Sequence, residues 1–232
     1  MMKLQRLKLR TVRHFCDSVQ AKGSLRKCRT VKIDRKSIVS PSLSKAKCEV
    51  ANSIVALNVS LPYITWSHLD RNMELYSWER KPLYTVSPKN NLQSCYSVAK
   101  YALEILPDAD LYVAEQKVSR PKHLSHVPLL LIQASIESML FCMLNREQEP
   151  NFYSMKDMTV ASLFNLQVGN ERASGQHVVE KILKNSSDYP TVCVADTLQE
   201  TYRKESRVNK EYMCNVLLLS VAFYDCIFSV NS

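Results

Sequence analysis

Four polar residues in this sequence have the types and spacing from which a site for divalent metal ions could be built. Asn58 interrupts an apolar run, Glu115 ends a short apolar segment, and Glu211 and Asn215 are four residues apart, which places them on one helix face. Metal ions held by carboxylates can orient a water molecule and stabilise a leaving oxygen, which is nuclease chemistry. Two of the four residues are amides, and a neutral amide oxygen cannot neutralise two cations. We therefore predict a degenerate nuclease site with no catalytic residue, no metal and no cofactor.

Some of the charged residues near this site also have purely structural interpretations. Glu115 could accept hydrogen bonds from a helix N-terminus, and Glu211 would be favourable in the first turn of a helix. Lys117, Arg120 and Lys122 follow Glu115 and could contact phosphates, although a solvated charged loop has the same composition. These three residues are our candidates for nucleic-acid binding.

The apolar pattern around these residues predicts an α/β fold of the ribonuclease-H-like type, a mixed sheet flanked by helices. Residues 53–60 are almost continuously apolar, residues 63–70 alternate, and a polar turn leads to a third strand over 73–78. An amphipathic helix over 92–106 then precedes a strand over 111–115. A helix between two buried strands implies a right-handed crossover and a partly parallel sheet.

Two further segments, residues 128–144 and 212–228, approach the length of a membrane-spanning helix. The first contains Gln133 and Glu137, and the second contains Asn215 and Asp225. We therefore predict that both are helices buried in the core of the domain.

The positive charge of the chain is concentrated at its N-terminus. The net charge is +9, yet residues 1–48 hold 14 Lys and Arg against two acids, and the remainder is slightly acidic. Residues 1–20 form an amphipathic basic pattern with one acid, which predicts a mitochondrial presequence; a basic tail that binds RNA or DNA is the alternative. We predict a flexible basic linker over 21–50 and the globular domain over 51–232. The eight cysteines form no C-x-x-C pair, which indicates reduced thiols.

Several segments of the chain, in this order, resemble the mitochondrial transcription elongation factor family. They are residues 53–71, Asp110–Glu115, Ile136–Leu140, Gly169–Gly175 and Leu217–Tyr224. The resemblance implies a pseudonuclease domain of the Holliday-junction-resolvase type, whose inactive metal site agrees with Asn58. It also implies a homodimer in the mitochondrial matrix and nucleoid that binds the mitochondrial RNA polymerase with its DNA and RNA and raises processivity. The family's helix-hairpin-helix domain is not apparent in residues 21–50.

Two other functions are compatible with the same residues. The first is a divergent metal-dependent Holliday-junction resolvase that uses Glu115. The second is a nucleoid or RNA-binding protein without a role in elongation.

Overall fold

The computed structural model describes residues 38–84, 91–116, 124–146, 149–169 and 171–228. The predicted presequence and the first part of the predicted linker lie outside these ranges.

A mixed sheet of seven strands forms the centre of the domain, in the order β1-β6-β5-β2-β3-β4-β9. Strands β2, β3 and β4 are antiparallel, whereas β5 runs parallel to β2 and β6 runs parallel to β5. A short hairpin, β7–β8, lies outside this sheet. The strands are β1 Val39–Ser40, β2 Ser53–Ser60, β3 Tyr63–Asp70, β4 Glu74–Pro82, β5 Leu111–Gln116, β6 Phe152–Lys156, β7 Gln167–Val168, β8 Glu171–Arg172 and β9 Cys193–Val194. The predicted ribonuclease-H-like order of three strands, a helix and a parallel strand is confirmed.

Helices cover both faces of the sheet. They are α1 Lys45–Val50, α2 Leu92–Ile105, α3 Val127–Leu144, α4 Asp157–Leu163, α5 Gln176–Leu183, α6 Asp196–Lys204 and α7 Arg207–Ile227. The alternation of β2 separates two cores: Ile54 and Ala56 pack in the cluster that contains α7, and Val55 and Leu57 pack in the cluster of α2 and α3. The continuous apolar run of β2 therefore reflects burial on both faces, as predicted.

Helix α7 is buried as predicted, but it begins five residues earlier than the apolar pattern indicates. Ser206 caps its N-terminus by accepting a hydrogen bond from the backbone nitrogen of Asn209 at 3.2 Å. The first turns of α7 lie at the surface of the domain, so their residues are mostly polar or charged. The apolar pattern therefore starts only after these turns. A hydrogen bond connects the helix to the sheet: the indole nitrogen of Trp78 on β4 donates to the backbone carbonyl of Met213 on α7 at 2.9 Å.

The predicted flexible linker over 21–50 is wrong for its described part. Ile38 and Val39 are buried, and β1 pairs with β6. Ser44 caps α1, whose Cys48 is buried. The domain therefore includes residues 38–50, because β1 pairs with β6 and because Ile38 and Val39 belong to the core cluster that contains α7.

The prediction that the segment 128–144 is a buried core helix is also wrong. In α3 only Ile132, Ile136 and Leu140 are buried. Most of the exposed residues on its outward face are apolar, with Glu137 and Ser138 as polar exceptions. The helix is long and apolar enough to span a membrane by length and composition alone, with 17% of its residues buried. Apolar residues occur on all sides of α3, which is why the sequence pattern indicated full burial. A helix that lies on a sheet, however, can bury only the side that faces the sheet.

Candidate functional site

A row of polar side chains crosses the sheet on the face covered by α7. Asn58 on β2 is in register with Thr65 on β3, and Thr65 is in register with Arg80 on β4. On the other side, Leu57 pairs with Ala114 on β5, which brings Glu115 beside Asn58. Neighbouring strands are about 4.8 Å apart, so these four side chains form a continuous polar line near the carboxyl ends of β2 and β5.

Arg172 pairs with the carboxylate of Glu115 within this row. Its Nη1 donates a charge-assisted hydrogen bond to Oε1 of Glu115. The side chain of Glu115 is only 5% exposed and that of Arg172 is 21% exposed, so solvent screens the pair weakly. A guanidinium therefore stands against the acid that a divalent ion would need. Sequence reasoning missed Arg172, which was visible only as part of the segment Gly169–Gly175.

Glu211 is bound by the residues that follow β8. It accepts hydrogen bonds from the hydroxyl of Ser174, from the backbone nitrogen of Gly175 at 3.3 Å and from Nε2 of Gln176 at 3.1 Å. We call residues 171–176 the strap, because they connect both acids of the predicted site through Arg172 at one end and Ser174–Gln176 at the other. Glu211 is the fifth residue of α7 and is held by the strap, so the alternative structural interpretation of a residue in the first helical turn does not describe it.

The two amides complete the predicted positions. Asn58 is 8% exposed and lies two residues before the end of β2. Asn215 lies one turn after Glu211 on α7, and its Oδ1 is buried with no hydrogen-bond partner among the described residues. The structure thus places all four predicted residues at one end of the sheet under α7. Lys117, Arg120 and Lys122 lie outside the described residues, directly after the end of β5.

The residues present do not fit the divalent ions that a nuclease of this fold would hold. The described part of the chain contains no group of three or more His, Cys, Asp or Glu side chains that could bind a metal. Glu115 is neutralised by Arg172, and a cation placed beside this guanidinium would be repelled. Asn58 and Asn215 supply neutral oxygens where charged ones are preferred.

The sheet order, the helix over the polar row and the helices behind the sheet define a resolvase-like fold of the ribonuclease-H class. The yeast mitochondrial Holliday junction resolvase Ydc2 superposes with a TM-score of 0.63 over 80% of this chain and 84% of its own. The two sequences are 11% identical, so this similarity concerns the fold.

Sequence similarity indicates a narrower group of proteins than the fold does. The chain is 26% identical over 232 residues to the mitochondrial transcription elongation factor of Danio rerio, covering 95% of this chain and 64% of the relative. The Rattus norvegicus protein of the same name is 28% identical over 207 residues, covering 85% of this chain and 57% of its own. The Homo sapiens protein is 24% identical over 243 residues, with 97% and 66% coverage. No family model matches the chain. The resemblance predicted from the sequence is confirmed, and the chain spans 57–66% of the length of these relatives.

Proposed function

We propose that this protein is a non-enzymatic mitochondrial transcription elongation factor. It acts in the matrix nucleoid, where it binds the mitochondrial RNA polymerase together with its DNA and RNA and raises processivity. The names of the relatives that match 85–97% of the chain support this proposal.

The geometry that carries the non-enzymatic part of the proposal is the ion pair between Arg172 and Glu115. A nuclease of this fold depends on free carboxylates for its metal ions. Here one acid is neutralised by an arginine, the other is bound by the strap, and the remaining two positions are amides. The fold is retained as a scaffold for binding.

The proposal is tested by adding the purified protein to a reconstituted mitochondrial transcription reaction. We expect longer run-off transcripts, and co-purification with the polymerase that survives nuclease treatment. An unchanged transcript length contradicts the elongation function. A pull-down that contains nucleic acid but no polymerase favours a nucleoid-binding protein instead.

The exposed face of α3 supports the homodimer as part of this proposal. Together with the start of α2 it forms an open groove of about 630 Å³, and among the described residues that line it Arg146 is the one charged side chain. Its exposed lining residues include Leu92, Tyr96 and Leu131, which are 77%, 47% and 54% exposed. Ser135, Ser138 and Arg146 interrupt the apolar surface, which suits another protein surface better than lipid. Since the described part of the groove lining contains no acid, a second copy would meet it mainly through apolar contacts.

Light scattering at several concentrations tests the dimer, with Leu131→Glu as the variant. Leu131 lies on the exposed face, so the substitution should leave the fold intact and shift the protein to a monomer. A wild-type monomer at all concentrations contradicts the dimer. Detergent-dependent solubility of the wild type would instead indicate a lipid surface.

The resolvase fold makes nuclease activity the alternative function. It is tested with a four-way DNA junction in the presence of Mg²⁺ or Mn²⁺. We expect no cleavage. Cleavage that is lost in Glu115→Gln would contradict the non-enzymatic proposal.

A further inference from the structure

Arg80 is held in place by two aromatic rings at the edge of the polar row. Its guanidinium carbon lies 3.5 Å from the centroid of the Tyr63 ring and 5.2 Å from that of Tyr212. Tyr63 belongs to β3 and Tyr212 to α7, so the arginine is fixed by two different elements. These cation–π contacts orient the side chain before any ligand binds, which lowers the entropy cost of binding.

The charge of Arg80 has no acidic partner among the described residues. The arginine forms no ion pair there, and its buried Nε has no hydrogen-bond partner. Glu79 is adjacent in sequence but lies on the opposite face of β4, where it pairs with Lys81 at 2.7 Å. A partly buried arginine without a carboxylate is a strong binding site for an anion.

The surrounding residues do not supply the missing negative charge. Glu115 is already paired with Arg172, and Glu211 accepts three hydrogen bonds from the strap. Asn58 and Asn215 are neutral. The charge of Arg80 is therefore not compensated within the row, in contrast to the acidic centre that a metal-dependent nuclease requires.

The start of α7 adds further positive charge on the same side of the sheet. Lys210 precedes Tyr212 by two residues, and its Nζ lies 5.5 Å from the ring of Tyr202. Like Arg80, it forms no ion pair within the described ranges. The positive end of the helix dipole is located here as well, since α7 begins at Arg207.

We propose that Arg80 binds a backbone phosphate of nucleic acid at this edge of the sheet, without a metal ion. The inference rests on the proposed nucleic-acid binding and assigns it a residue and a ligand group. A guanidinium matches the geometry of phosphate oxygens and carries no information about base identity, so the contact is independent of sequence. The degenerate site thus changes its preference from cations to the phosphodiester anion.

The test uses the full chain and a fluorescent DNA duplex of about 20 base pairs, with binding measured by anisotropy over a range of salt concentrations in EDTA. We expect Arg80→Gln to weaken binding about tenfold and to reduce the slope of log K against log salt by about 1. The matched control is Lys100→Gln, which removes the same charge from α2 on the other face of the sheet. It should leave both quantities unchanged.

Each outcome decides between the two proposals. If the wild type binds no duplex either in EDTA or in Mg²⁺, the proposed nucleic-acid binding fails and this inference fails with it. If the wild type binds but Arg80→Gln behaves as Lys100→Gln does, only the role of Arg80 is refuted. Wild-type binding that is present in Mg²⁺ but lost in EDTA would overturn the metal-free contact.

A second variant covers the case in which Arg80→Gln does not fold, as judged by thermal unfolding. Arg80→Lys keeps the charge but loses the planar fork and its stacking on Tyr63. It should keep the salt slope and bind several-fold more weakly. Binding equal to that of the wild type would overturn the inference.

Discussion

Removal of the Arg172 side chain should destabilise the domain strongly. In Arg172→Met, the carboxylate of Glu115 stays in a site where its side chain is 5% exposed, but it loses its cation. Breaking a buried ion pair from one side costs about 3–5 kcal/mol. Because Arg172 is itself 21% exposed, we expect the lower end, about 3 kcal/mol. For a domain of this size that lowers Tm by roughly 10 °C.

The double variant Arg172→Met/Glu115→Gln isolates the interaction between the two side chains. It removes both charges together, so it should be more stable than Arg172→Met alone, with a coupling energy of about 2 kcal/mol. The assay is equilibrium urea unfolding at pH 7 of the wild type, both single variants and the double variant. Lys100→Met/Glu104→Gln is the matched control, because these side chains are 62% and 60% exposed on α2. Its coupling should stay below about 0.5 kcal/mol.

Either of two results would contradict a stabilising role for the pair of Arg172 and Glu115. A loss of less than about 1 kcal/mol in Arg172→Met would mean that Glu115 regains solvent without the arginine. A double variant less stable than Arg172→Met would mean that the two side chains contribute separately, and that the strap is held mainly through Glu211.

Substitutions at Asn58, Gly175 and His68 should each have a measurable effect. Asn58→Asp should bind no Mn²⁺ in calorimetry while Arg172 remains. The triple variant Asn58→Asp/Asn215→Asp/Arg172→Met should bind Mn²⁺. Metal-dependent cleavage by Asn58→Asp alone would contradict this prediction. Gly175→Ala should cost about 1–3 kcal/mol in urea unfolding, because the added Cβ would lie 2.6 Å from Cδ1 of Leu218; an unchanged midpoint would show that Leu218 yields. Burial lowers the pKa of His68 below 6.5, so the unfolded state binds a proton first and the free energy of unfolding falls as pH drops below 6.5. His68→Gln should make the free energy of unfolding less dependent on pH between about pH 7 and 5.5. If the variant loses stability as steeply as the wild type, His68 is not the cause of the decline.

Local patterns were sufficient for strands β2 to β5 and for helix α2. The apolar run of β2 and the alternation of β3 depend on side chains that point to fixed faces, so the residue order alone predicts burial. For the same reason Asn58 was recognisable as a polar residue inside a buried strand.

Other features depend on which surface is covered, and periodicity does not encode that. The apolar residues of α3 are compatible with a buried helix, but the sheet covers only one of its faces. The start of α7 was missed because Ser206 is an N-cap in a charged stretch without an apolar pattern. Residues 38–50 read as a linker because β1 is only two residues long and is recognisable only through its pairing with β6.

The sequence by itself determined that a strand at the centre of the sheet carries an amide where a metal site needs an acid. The tertiary structure decided which charged residues lie beside that strand. Arg172 reaches Glu115 across 57 residues of chain, and Arg80 is fixed by tyrosines from two other elements. The strand is recognisable locally because its side-chain period is a property of the backbone. The charge partners cannot be recognised from the local sequence, because the packing of β8 and α7 against the sheet determines which distant residues meet.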